Sequence, residues 1–91
     1  MSSTVQLDCF EQAGARYGIP PALLWSIAAV ESGHKPNAIN NAHRQRTGTY
    51  DIGLMQINSS HIDTLSSFGI DERALHDSCT NLLVGISAGV W

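Results

Sequence analysis

The sequence predicts an α-dominated α+β domain in which short helices surround a small β-hairpin or extended segment. Three observations predict it. Leu24, Ile27, Ala28 and Glu31 recur at i, i+3, i+4 and i+7 between Pro20-Pro21 and Gly33, a helical period with both ends marked. Residues 50–58 instead interleave Asp51, Gln56 and Asn58 with Ile52, Leu54, Met55 and Ile57, as a short extended or tightly turned segment with one wet side would. Finally, 43% hydrophobic against 14% charged residues excludes a disordered chain, and 91 residues make a single domain, 1–91.

Each element follows from its local chemistry. Residues 5–17 read as a helix with Cys9, Phe10, Ala13 and Tyr17 as its apolar stripe and Gly18 as its stop. Pro20-Pro21 opens the second helix, because a proline in the first turn loses no hydrogen bond. That helix runs to about Ser32 and ends at Gly33, with Pro36 just beyond. Residues 34–49 are polar and read as a loop with one helical turn, long enough in so small a domain to suggest function. Gly53 permits a bulge or close backbone approach in the extended segment. Ser59 or Ser60 caps a helix through about Phe68, with Ile62 and Leu65 inward, and Gly69 breaks it. Asp71 starts a short turn carrying Ala74 and Leu75. Asp77 or Ser78 caps the last helix, whose apolar positions are Cys79, Leu82, Leu83 and Ile86. Tyr17, Trp25 and Phe68 fall in helical patterns and are expected in the core.

Charge and composition exclude several functions. A net charge of −3 gives no footprint for nucleic acid, although Lys35, His43, Arg44 and Arg46 cluster in the long loop. No apolar run approaches the roughly 20 residues of a membrane span. Met1-Ser2-Ser3-Thr4 does not read as a signal peptide. The four histidines show no metal-ligand spacing and suit solvated loop or cap positions, so neither metal nor cofactor is expected. Cys9 has no activating base indicated nearby. A Cys9–Cys79 bridge would add up to about 4 kcal/mol by closing most of the chain into one loop, and two unpaired buried thiols are the other reading.

Glu31 is the residue with most chemical content. On an apolar helix face a carboxyl is desolvated, its pKa rises, and it can donate a proton near neutral pH. Helix geometry alone also allows a carboxylate escaping to solvent beside Gly33. Glu31-Ser32-Gly33 is followed about twenty residues later by Gly53-Leu54-Met55-Gln56-Ile57-Asn58. Together these resemble the lysozyme-like lytic transglycosylases, in particular the small ones that accompany type IV secretion, conjugation and pilus systems. The resemblance runs from about Cys9 to Gly85.

The resemblance implies a lysozyme-like fold and cleavage of the β-1,4 bond between N-acetylmuramic acid and N-acetylglucosamine, releasing 1,6-anhydromuramyl products. Glu31 is then the acid. Asp51 is the candidate second catalytic group, and its stretch through Ser59 also resembles the segment of animal lysozymes that carries their catalytic aspartate. Asp51 can equally bind sugar or satisfy a turn. Ser32, Met55, Gln56 and Asn58 are implied to bind substrate, with helix capping open for Ser32 and packing under the cleft floor for Met55. The family commonly bridges the helices of Cys9 and Cys79, which implies an oxidising compartment, periplasmic or secreted, with any signal peptide removed. Expected partners are peptidoglycan glycan strands and components of a secretion, conjugation or pilus apparatus, and the protein itself is expected to be a monomer. The family continues past the equivalent of Trp91 with a further helix pair and a Tyr-Asn-Ala-Gly type motif, so the C-terminal part of the fold is expected to be missing. Two other functions stay open: a hydrolytic muramidase using Glu31 and Asp51, and an inactive glycan-binding fragment.

Overall fold

A computed structural model describes residues 7–88, and most of its elements start and stop at the residues that local chemistry marks. Helix α1 spans Leu7–Tyr17, and the expected start at residues 5 and 6 lies outside the described residues. Phe10 and Ala13 are buried, but Tyr17 is 37% exposed, so the stripe leaves the core in its last turn and Tyr17 is not a core residue. Helix α2, Pro21–Ser32, takes Pro20 as its N-cap residue with Pro21 in its first turn. The two helices meet through Phe10, edge-on to Trp25 with ring centroids 5.1 Å apart.

The 34–49 connection holds more than the expected single helical turn. Strand β1, Ile39–Asn40, precedes the one-turn helix α3, Arg44–Thr47. Strands β2, Asp51–Ile52, and β3, Ile57–Asn58, complete an antiparallel sheet in the order β1-β2-β3. Its register aligns Ile39, Ile52 and Ile57 in one row and Asn40, Asp51 and Asn58 in the other. Directly opposed residues share a face, so the sheet has an apolar side and a polar side. Ile52 and Ile57 are fully buried, while Ile39 on the edge strand is 41% exposed.

A 3₁₀ turn at Ser59–His61 leads into α4, Ile62–Ser66. The cap comes from Asn58 rather than from Ser59 or Ser60, since its side-chain oxygen accepts from the Ser60 N–H at 3.1 Å. Leu65 is buried as expected. Phe68 is not: it follows the last turn of α4 and is 75% exposed. Asp71 Oδ1 accepts from the Ala74 N–H at 2.9 Å and opens a second 3₁₀ turn, Ala74–His76. Asp77 Oδ2 accepts from the Thr80 N–H at 3.0 Å and caps α5, Ser78–Ala88. A disulfide joins Cys9 of α1 to Cys79 of α5, with the Cα atoms 5.5 Å apart. The core collects Phe10, Leu24, Ala28, Leu75 and Leu82 from the helical segments around Ile52, Leu54, Met55 and Ile57. This is the helix-dominated lysozyme-like architecture, with the β2–β3 turn at its centre. No described helix is long and apolar enough to cross a membrane.

Candidate active site

Glu31 sits in the last turn of α2, and that end of the helix is tightly tied. Gly33 adopts φ 65° and donates its N–H to Ala29 O at 2.9 Å, and the His34 N–H reaches Ala28 O at 3.3 Å. The His34 ring stacks on Trp25 at 3.8 Å between centroids, and its Nε2 lies 2.8 Å from Trp25 O. The Ser32 hydroxyl donates to Ala28 O at 3.3 Å and accepts from the Lys35 N–H at 3.1 Å, so it caps the helix. The backbone under Glu31 is therefore fixed. The carboxyl itself is exposed and has no hydrogen-bond or ion-pair partner among the described residues. This corrects the expectation of a desolvated acid: Leu24 and Ala28 are fully buried, but the core-facing stripe of α2 ends with Ala28.

Asp51 is held very differently. It occupies the middle of the polar row on the sheet, between Asn40 and Asn58. Asn58 Nδ2 donates to its Oδ1 at 2.9 Å, and His43 Nε2 lies 3.0 Å from its Oδ2. Asn58 also donates to Thr49 Oγ1 at 3.2 Å while its oxygen caps the following 3₁₀ turn, so its carboxamide is engaged at both ends. Both oxygens of Asp51 thus have a protein partner in a half-buried setting.

The turn between β2 and β3 is built on a buried polar hub. Asn81 of α5 is fully buried, and its Oδ1 accepts from the Met55 N–H at 2.7 Å. Its Nδ2 donates to Ile52 O at 3.0 Å and to Leu75 O at 2.8 Å. Gly53, at φ 76°, lies against this hub: a Cβ there would stand 2.5 Å from Asn81 Nδ2 and 2.6 Å from Leu75 O. Met55 is fully buried, so it forms part of the floor and contact with a bound strand would require the turn to open. Gln56 adopts φ 56° and donates from Nε2 to Gly53 O at 3.0 Å, closing the turn on itself. Its amide oxygen has no partner among the described residues and is the group that it can offer a ligand.

Sequence reasoning named His43 only within the basic cluster of the long loop, and passed over Thr47 and Thr49 beside Asp51 and Asn81 behind the turn. An asparagine followed directly by Leu82, Leu83 and Val84 was a readable sign of a buried polar residue; nothing comparable tied His43 to Asp51. His43 and His61 stand at the cap positions expected of the histidines, but His34, His43 and His76 are each half-buried with a hydrogen-bond partner rather than solvated. Arg44 lies 4.4 Å above the Tyr50 ring, and the Tyr50 hydroxyl donates to Glu72 Oε1. That hydrogen bond, with burial and the Glu72 charge adding to it, raises the Tyr50 pKa above its ordinary value. Hollows of about 330 Å³, lined by His34, Lys35, Pro36, Asn37 and Ala38, and about 570 Å³, lined by Asn41, Ala42, Arg44 and Gln45, mark the surface. Neither is lined by Glu31 or Asp51.

Residues 8–88 match the family described as the transglycosylase SLT domain. Among curated proteins, the invasion protein IagB of Salmonella typhimurium is 43% identical over 86 residues, covering 93% of this chain and 52% of that protein. The protein IpgF of Shigella flexneri is 43% identical over 68 residues, covering 75% of this chain and 43% of its own length. A peptidoglycan-binding-like protein of Escherichia coli O157:H7 is 43% identical over 82 residues, covering 85% of the chain and 49% of that protein. The chain spans about half the length of the curated relatives it matches.

Proposed function

This chain belongs to the transglycosylase SLT domain family, and on that premise we propose that it cleaves peptidoglycan glycan strands by lytic transglycosylation at the N-acetylmuramic acid to N-acetylglucosamine β-1,4 bond. Glu31 protonates the glycosidic oxygen as the bond from C1 breaks. The acetamido oxygen of the same sugar attacks C1 and carries the positive charge that develops there. The carboxylate of Glu31 then takes the proton from the 6-hydroxyl as its oxygen displaces the acetamido oxygen from C1; the N-acetyl group is restored and the acid is regenerated without water. A carboxyl donates in this way only where water is kept from it, so the glycan strand laid across the end of α2 supplies the cover that Glu31 lacks.

The observation that carries the reading is the contrast between the two carboxylates. Asp51 has both oxygens engaged by His43 and Asn58, while Glu31 has no partner among the described residues. That favours a one-acid mechanism in which Asp51 and Gln56 bind and orient the sugar, while Asn58, expected to bind substrate, holds Asp51 instead. A two-carboxylate muramidase would need Asp51 as its nucleophile or charge stabiliser. The proposed role is to open the wall locally for a secretion, conjugation or pilus apparatus, in the periplasm or outside; the relatives named as an invasion protein and as peptidoglycan-binding-like support its action on the wall alone.

Mass spectrometry of digested sacculi tests this. Anhydromuramyl products are expected from the unmutated protein, loss of turnover from Glu31→Gln, and persistence of anhydro products in Asp51→Asn with a rate loss of about tenfold or less. Reducing-end products together with a collapse of roughly a hundredfold or more in Asp51→Asn would establish the muramidase instead. No change in the sacculi would favour an inactive glycan-binding role.

A further inference from the structure

We infer that His43 is a positioning residue for Asp51, fixing which of its lone pairs face the glycan. The inference rests on the reading that Asp51 serves the sugar site. A carboxylate only accepts hydrogen bonds, so the His43 nitrogen facing it, Nε2 at 3.0 Å from Oδ2, carries a proton. The other ring nitrogen, Nδ1, stands 3.0 Å from Thr47 Oγ1. Thr47 is in turn anchored to the backbone, with its Oγ1 2.9 Å from His43 O and its N–H donated to the same carbonyl at 2.9 Å. The ring is thereby clamped between the one-turn helix α3 and strand β2. Among the described residues no other side chain of the long polar connection bonds directly to Asp51.

The geometry explains why a second holder matters. Asn58 grips only Oδ1, about which the carboxylate can still swing. With His43 on Oδ2 the plane of the carboxylate is fixed, and of its roughly four acceptor directions two remain for a ligand in defined orientations. Among the described residues no lysine or arginine pairs with Asp51. Arg44 and Arg46 lie on α3 directly after His43, but Arg44 is stacked over Tyr50, whose hydroxyl is given to Glu72. His43 and Asp51 are both 22% exposed, open enough on one side for a sugar to reach the carboxylate.

A double-mutant cycle with an independent spectroscopic arm tests this. His43→Ala should lower kcat on soluble glycan-strand fragments by roughly three- to tenfold, the loss of one hydrogen bond, and leave KM nearly unchanged. His43→Gln, which can still donate to Oδ2, should restore most of the rate. In an Asp51→Asn background His43→Ala should cost nothing further, because it acts only through that carboxylate. In the unliganded protein, ¹⁵N NMR of the His43 ring should show a protonated Nε2 protected from exchange, and Asp51→Ala should remove that protection. Additive losses in the double variant, or Nε2–H protection indifferent to Asp51→Ala, would overturn the inference. A chain that proves hydrolytic or inactive refutes the proposed reaction, and the NMR arm then decides by itself whether His43 holds Asp51.

Discussion

Replacing Gly53 by alanine tests whether the turn beneath the site is held by the Asn81 hub. The new methyl would stand 2.5 Å from Asn81 Nδ2 and 2.6 Å from Leu75 O, distances that real Cβ atoms essentially never show. Neither neighbour can retreat cheaply, since one is backbone and the other is a fully buried carboxamide making three hydrogen bonds. Three costs add: about 1 kcal/mol for a β-carbon at positive φ, about 1–3 for overpacking, and about 1–3 for each buried hydrogen bond displaced. A loss of about 4 kcal/mol or more is expected, a large share of the roughly 5–15 kcal/mol that holds a domain together. Gly48→Ala is the matched control, because Gly48 has the same φ of 76° and nothing within 4 Å of its added methyl. It should cost only about 1 kcal/mol, and the change in unfolded-chain entropy cancels between the two variants. Urea unfolding of both, with the disulfide intact, should separate them by about 3 kcal/mol, or roughly 12–24 °C in Tm. Equal losses within about 1 kcal/mol would refute the view that packing against Asn81 fixes this turn.

Reduction of Cys9–Cys79, which spans 70 residues, should remove about 4 kcal/mol and lower Tm by roughly 15–30 °C; a shift near zero, or two alkylatable thiols in the native protein, would rule out the bridge as a stabilising link. Tyr50 gives a pH dependence of known sign. Its folded pKa is raised, first by the hydrogen bond to Glu72, so its contribution is fully present below about pH 10, the ordinary tyrosine value, and is lost as pH rises through the folded value. Tyr50→Phe should flatten that alkaline decline in stability, and an identical slope in both proteins would exclude the Tyr50–Glu72 contact as its source.

Much of the fold was legible because local chemistry decides it. Prolines at the start of α2, Gly33 at its end and Asp77 before α5 mark ends that the structure keeps. The sheet was only partly readable. Strands of two residues carry no detectable period, so β1 at Ile39–Asn40 was hidden inside a polar loop. Its existence depends on pairing with β2, a contact made in three dimensions. Tyr17 and Phe68 failed for a related reason: Tyr17 ends α1 and Phe68 lies just past α4, where a stripe drawn from periodicity has already turned away from the core.

The site divides along the same line. Residue types and spacing single out Glu31 and Asp51, but not the surroundings that separate their roles. Helix α2 is apolar on most sides, with Leu24 and Ala28 buried while Leu23 is 51% and Val30 86% exposed. Periodicity has little contrast on such a helix, so placing Glu31 on an apolar face could not say whether that face was covered. Asp51 raises the opposite difficulty. Its alternation with Ile52 correctly puts it on the wet side of a strand, yet His43 lies eight residues earlier, at the start of a one-turn helix with no pattern of its own. An acid is recognisable from its place in a chain, whereas the partners that free one carboxylate and restrain another are assembled only when distant segments meet. The carboxyl of Glu31, without a partner among the described residues, and the doubly held carboxylate of Asp51 are consequences of tertiary packing, and the proposed one-acid chemistry rests on that contrast.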